Sequence, residues 1–247
     1  MSWRSRSSKA RSIWRANARA AILRDGCLLV RGLVEPGAAH AFARQIDRAF
    51  DERERHDTGG RAKPGFYEEF EPAERYGGEV LGRAWIKEGG GVLAADSPRL
   101  SFEMSELFRA AGVPELVERY LGEPPLASVH KTTLRKAEPS VPGAWHQDGA
   151  FMGEVRSLNL WVALSRCGDE ALLSYQVSQR NAEEAAGERG IVRPVFEPGD
   201  ALFFDEMFLH QTGSDPSMPN PRFAVESWFF GATGFPGDYA PLAVGRS

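Results

Sequence analysis

Apolar positions fall into two regimes along the chain. Before Pro125 they recur at helical spacing, and after it they come in short runs bounded by Gly, Pro or Asp. Cys27 to Leu33 reads as a first short strand. Glu35-Pro36 then opens a helix whose stripe is Ala38, Phe42, Ile46 and Phe50, with proline placed where the helix has no use for its missing N–H. Two more helices are predicted to start at Asp96-Ser97-Pro98 and at Val113-Pro114, the second ending by Gly122. Strands are predicted from Leu126 to Lys136, Ser157 to Ser165, Ala171 to Val177, Ile191 to Phe196, Ala201 to Phe204 and Phe223 to Phe230. There is no internal repeat. This spacing predicts a mainly β protein with flanking helices, a helical N-terminal layer set against a sandwich or jelly-roll core rather than a doubly wound sheet.

Composition narrows the classes. With 42% hydrophobic and 26% charged residues in 247 positions, the chain is of ordinary globular make-up and long enough for one large domain. A net charge of -4 argues against nucleic acid as a partner, and no apolar run is long enough to span a bilayer. Two cysteines, Cys27 and Cys167, make neither a disulfide framework nor a cysteine-built zinc site, which fits a reducing, cytoplasmic setting. The first 24 residues hold seven basic side chains and no acid. Arg11, Arg15 and Arg19 recur opposite Trp14, Ala18 and Ile22, so residues 1–24 read as a basic amphipathic segment, either a first helix lying on an acidic body or an organelle transit peptide. Residues 25–247 then form a single domain. Within it, 57–91 is rich in glycine yet carries Phe66, Tyr67, Phe70 and Trp85, the make-up of a loop able to cover a binding site.

Candidate chemistry rests on the five histidines, His40, His56, His130, His146 and His210. His40 reads as a surface residue of a helix, His56 as part of a polar charge run, and His130 as a strand residue. In His146-Gln147-Asp148 an imidazole and a carboxylate lie two apart, which on an extended segment puts both on one face. His210 follows the turn Pro198-Gly199-Asp200 and an apolar strand, and Arg222 heads the last strand. In a jelly roll, strands distant in sequence lie side by side, so two imidazoles and a carboxylate can meet on one metal ion. That donor set, with open positions left over, suits non-haem Fe(II). An arginine inside a barrel strand suits capture of a carboxylate.

Trp145-His146-Gln147-Asp148-Gly149, Leu158-Asn159-Leu160-Trp161-Val162-Ala163-Leu164, Pro198-Gly199-Asp200 through His210, and Arg222 resemble the phytanoyl-CoA dioxygenase family of Fe(II)- and 2-oxoglutarate-dependent oxygenases. The resemblance implies that His146, Asp148 and His210 hold iron and that Arg222 meets the distal carboxylate of 2-oxoglutarate. It further implies that Thr212 helps bind that carboxylate and that Thr133 touches the cosubstrate from a neighbouring strand. A small organic substrate and dioxygen are the implied partners, with succinate and carbon dioxide released and hydroxylation favoured over halogenation because Asp148 is present. One departure stands out: the family's Pro-Gly-Ser-His-like segment is replaced by Gln176-Val177-Ser178-Gln179. Two other classes stay open. One is a jelly-roll hydrolase or isomerase using the same three ligands with another metal, which leaves Arg222 unexplained. The other is a non-catalytic binding protein of the same fold.

Overall fold

The structure is a computed structural model that describes residues 8–57, 91–138, 144–152, 155–168, 174–176, 191–192, 194–212, 219–237 and 239–244. Among the described residues four α-helices come first: α1 (Ser8–Asp25), α2 (Pro36–Asp57), α3 (Pro98–Ala111) and α4 (Val113–Leu121). Among and after them run β1 (Cys27–Val30), β2 (Gly91–Leu93), β3 (Pro125–Ser128), β4 (Thr133–Ala137) and β5 (Ser157–Ala163). The chain continues through β6 (Ser174–Gln176), β7 (Ile191–Val192), β8 (Ala201–Asp205), β9 (His210–Gln211), β10 (Arg222–Gly231) and β11 (Pro241–Ala243).

Each helix buries the face its spacing marks out. Phe42, Ile46 and Phe50 of α2 enter the core with Ala39 and Ala43, while Ala38 packs at its edge. The basic segment is helical from Ser8, and Ala18 and Ile22 are buried while Arg19 is exposed. The loop at 57–91 lies outside the described residues except for its two ends, Asp57 closing α2 and Gly91 opening β2. Among the described residues, no helix is long and apolar enough to cross a membrane.

The main sheet is antiparallel, in the order β1, β8, β5, β10, β3, β11. Along its other edge β10 pairs first with β4, through Arg222 to Glu226, and then with β3, through Phe229 to Gly231, and β2 pairs with β4. A second sheet runs β7, β6, β9. Together they form a jelly roll with helices packed on one face. Strand β5 shows why its run is apolar but for Ser157 and Asn159: every residue is buried. Leu158, Leu160 and Val162 join the core shared with the helices, and Trp161 and Ala163 join a second cluster with Leu202, Phe204 and Ala224 on the inner face.

The predicted strand from Leu126 to Lys136 is two strands. Val129 to Lys131 form a 3-10 turn between β3 and β4, so His130 sits in a turn rather than in strand phase. Of the predicted strands at 171–177 and 191–196, the described parts are β6 and β7, with Phe196 in an isolated bridge to Cys167. The Pro198-Gly199-Asp200 turn has a concrete job. Gly199 has φ +92 and an added Cβ would stand 2.1 Å from the Val34 carbonyl oxygen, so only glycine fits. The buried Asp200 accepts from Arg31 at 2.6 Å, the Gly32 N–H at 2.8 Å and the Glu197 N–H at 2.9 Å, tying the start of β8 to the loop after β1.

Candidate metal centre

The structure brings His146, Asp148 and His210 together, with one ligand atom from each lying within 4.8 Å of the others. Their backbone places them. The His146 N–H donates to the His210 carbonyl at 2.9 Å, and the His210 N–H returns to the His146 carbonyl at 3.0 Å. Three residues on, the Gly149 N–H donates to the Glu206 carbonyl at 2.7 Å, and the Gln147 amide reaches the Met207 carbonyl. An added Cβ at Gly149 would stand 2.9 Å from that Glu206 oxygen, so the absence of a side chain lets the two ligand segments close. The local geometry differs from the extended one expected: Asp148 opens a 3-10 turn, Asp148–Phe151, and only His146 is in the bridge.

The imidazoles are set for a metal. His146 Nδ1 lies 2.9 Å from the Ala144 carbonyl, and His210 Nδ1 lies 2.9 Å from the Phe208 carbonyl. A carbonyl only accepts, so each Nδ1 carries the proton and each Nε2 presents its lone pair. Those Nε2 atoms face one carboxylate: His146 Nε2 is 3.8 Å from Asp148 Oδ1, and His210 Nε2 is 3.9 Å from Oδ2. An ion held about 2.1 Å from each donor allows separations up to about 4.2 Å, so both fit. The donor set is two neutral nitrogens and one oxygen, leaving open positions on an octahedral ion, which suits Fe(II).

Electrostatics agree. Asp148 is 3% exposed. Burial, then the charge of Glu226, push its carboxyl up to about 8, while the Asn159 amide, Lys131 and Arg135 pull back. Burial, then His146, push His210 down to about 4, keeping it neutral as a ligand must be. The ring of His210 packs 4.7 Å from that of Phe204. Asn159 is the residue the sequence reading passed over. It is buried and donates to Asp148 Oδ2, with the Ser157 hydroxyl 3.4 Å from its own oxygen. A signal existed: a polar amide inside a run of buried apolar residues must find a partner.

The other sequence candidates are placed unevenly. Residues directly opposite in a ladder share a face, so Arg222 and Glu226 of β10 lie on one face with Thr133 and Arg135 of β4 and with Asn159 and Trp161 of β5. Arg222 is buried at 4% exposed, its guanidinium 5.7 Å from the Trp161 ring centre. The hydroxyl of Thr133 is buried, and among the described residues it has no hydrogen-bond partner. Thr212, just past β9, is exposed. Arg135 pairs with Glu226 at 2.7 Å, and the Trp228 indole N–H donates to Glu226 at 2.9 Å. Burial alone would raise Glu226, yet Arg135 and that indole hold it below the usual carboxylate range.

The profile of the phytanoyl-CoA dioxygenase (PhyH) family matches residues 22–222. No curated protein matches the sequence. Solved structures of the same fold include EctD from S. alaskensis with 2-oxoglutarate and 5-hydroxyectoine, 16% identical at a TM-score of 0.65 over 100% of this chain and 86% of its own. The non-heme monooxygenase ThoJ in its nickel complex is 17% identical at 0.59, over 93% and 83%. SnoN, a non-heme alpha-ketoglutarate-dependent epimerase of nogalamycin biosynthesis, is 19% identical at 0.54, over 94% and 93%. At these identities the likeness is one of fold. The profile match itself runs from Ile22 in α1 to Arg222 at the head of β10, and the chain belongs to the phytanoyl-CoA dioxygenase family.

Proposed function

We propose that the protein is an Fe(II)- and 2-oxoglutarate-dependent dioxygenase that hydroxylates a small organic molecule. One observation carries the reading: two imidazoles with Nδ1 committed to backbone carbonyls aim Nε2 at one buried carboxylate. When bound, the ion and cosubstrate supply oxygen activation, with 2-oxoglutarate leaving as succinate and carbon dioxide. His146, Asp148 and His210 hold the ion. Arg222, buried on the inner face, receives the distal carboxylate of 2-oxoglutarate through a charge-assisted fork. Thr133 offers its buried hydroxyl to the same molecule, and Thr212 adds a hydroxyl beside the distal carboxylate. The aromatic walls from Trp161, Phe204 and Trp228 exclude water from the reacting centre.

The test combines binding and turnover. Anaerobic titration should show one Fe(II) per chain, and His146→Ala, Asp148→Ala or His210→Ala should each nearly abolish it. Arg222→Ala should raise the 2-oxoglutarate requirement by about thirtyfold or more while leaving iron binding in place, since truncating one partner of a desolvated pair costs about 2 kcal/mol or more. Oxygen-dependent formation of succinate supports the reading, and full iron affinity and turnover in Asp148→Ala would sink it. Because the fold also serves an epimerase, product mass decides the outcome: hydroxylation adds one oxygen.

A further inference from the structure

Beyond Arg222 on β10, the same inner face presents a carboxylate, Glu226, directly opposite Thr133 of β4 and Trp161 of β5. Its neighbours on that face of the strand, Ala224 and Trp228, are buried. Glu226 and its partner Arg135 each keep 16% of the side chain exposed. A charged pair set between buried neighbours, yet still reachable, lines an opening and not solid core. Glu226 also stands close to the metal ligands. Its charge works against ionisation of Asp148 and favours the protonated form of His210, effects that fall away with distance.

The partners of this carboxylate fill it unevenly. Arg135 donates to Oε2 through both Nε, at 3.1 Å, and Nη2, at 2.7 Å, while Oε1 accepts from the Trp228 indole N–H at 2.9 Å. An ionised carboxylate accepts about four hydrogen bonds, about two at each oxygen. Oε2 is therefore filled, and Oε1, among the described residues, has a place for one more donor. The Thr133 hydroxyl, although opposite in the ladder, makes no bond to it. In a site that excludes water, an acceptor left without a donor loses its hydration with nothing in return. 2-Oxoglutarate does not supply the donor, because as a dianion it carries acceptors only. The remaining molecule at the site is the substrate.

We propose that Glu226 is a specificity residue of the substrate site, its Oε1 accepting a hydrogen bond from a hydroxyl or amine of the substrate. Arg135 and Trp228 hold the carboxylate in place, so the acceptor is oriented before the substrate arrives. A substrate group that only accepts, such as an ether or a carboxylate, meets the Oε1 lone pair and is turned away. The inference rests on the oxygenase reading above, and it narrows the substrate class to molecules bearing an O–H or N–H donor near the carbon that is oxidised.

The test uses the full chain loaded with Mn(II), a redox-inert stand-in, and with saturating 2-oxoglutarate. Benzyl alcohol, benzylamine and the acceptor-only benzyl methyl ether are titrated at constant ionic strength, read by quenching of tryptophan fluorescence. In the wild type the alcohol, the amine or both should bind about tenfold or more tighter than the ether, the scale of a hydrogen bond to a charged group. The tighter of the two names the donor as hydroxyl or ammonium. Glu226→Gln turns its carbonyl to the two N–H groups of Arg135 and puts an NH2 where Oε1 stood, so the ether should draw level with the alcohol or pass it. If that variant does not fold, Glu226→Asp keeps the charge, withdraws the acceptor and should erase the preference. Binding of the ether equal to that of both donors, no saturable binding of any probe, or a donor preference that survives in the variant overturns the proposal. Mn(II) and 2-oxoglutarate binding, measured in the same samples before any probe is added, judges the oxygenase reading separately.

Discussion

A carboxylate placed like Asp148 is costly without a cation. Its folded value, raised to about 8 from an ordinary 3.8, favours the fold below 3.8 and loses that contribution as pH climbs to 8. His210, lowered to about 4 from 6.5, contributes above 6.5 and loses it as pH falls to 4. The two slopes cancel between about 4 and 6.5, leaving the carboxylate alone above that. The metal-free protein should therefore lose about 1.4 kcal/mol of stability per pH unit from 6.5 toward 8, as urea denaturation across that range will register. A metal must displace the same proton, so Mn(II) affinity should rise about tenfold per pH unit over this window, and Asp148→Asn should flatten the profile. Asn159→Ala should weaken Mn(II) binding by about ten- to a hundredfold with the fold kept, because it frees the carboxylate to turn. The cluster of His146, Asp148 and His210 was legible as a candidate because its chemistry is scarce, with only five histidines in the chain. Asn159 was not, since its role depends on a register that places it against a residue eleven positions away.

Between elements, the decisive contact is the seam joining the segment of His146 to Gly149 with that of Glu206 to His210. Gly149→Ala should force this seam apart, because the added carbon meets backbone that cannot swing aside. The expected result is a loss of about 1 to 3 kcal/mol in stability together with weakened metal binding, measured on one sample by denaturation and by Mn(II) titration. A variant with unchanged metal affinity would mean that the seam does not set the ligand spacing. Element boundaries were only partly readable from the sequence. Between Leu126 and Lys136 no glycine or proline interrupts the run, and Val129, Thr132 and Thr133 keep its strand character, so nothing local marks the turn at Val129 to Lys131. By contrast Pro36, Pro98 and Pro114 mark helix starts through their own covalent geometry, and all three helices begin there or one residue earlier.

Across the molecule, one face of the main sheet carries the helical layer and the other carries the chemistry, with β5 and β10 serving both. The jelly roll was legible because its core strands read as short, largely apolar runs bounded by Gly, Pro or Asp. A metal held between two segments far apart in sequence binds the folded chain and not the unfolded one. At a hundred times its dissociation constant it adds about 2.7 kcal/mol, or roughly 5 to 10 °C in melting temperature for a chain of this size. Calorimetry with Mn(II) should show that rise in the wild type and none in Asp148→Ala. The reciprocal backbone bonds between His146 and His210 carry one more implication. Main-chain bonds do not depend on which side chains flank them, so residues between the two histidines that lie outside the seam, β5 and β8 can change while the distance between the imidazoles stays put. A lineage built on this scaffold can exchange what it binds by rewriting those residues, and need never reinvent the place where the three side chains meet.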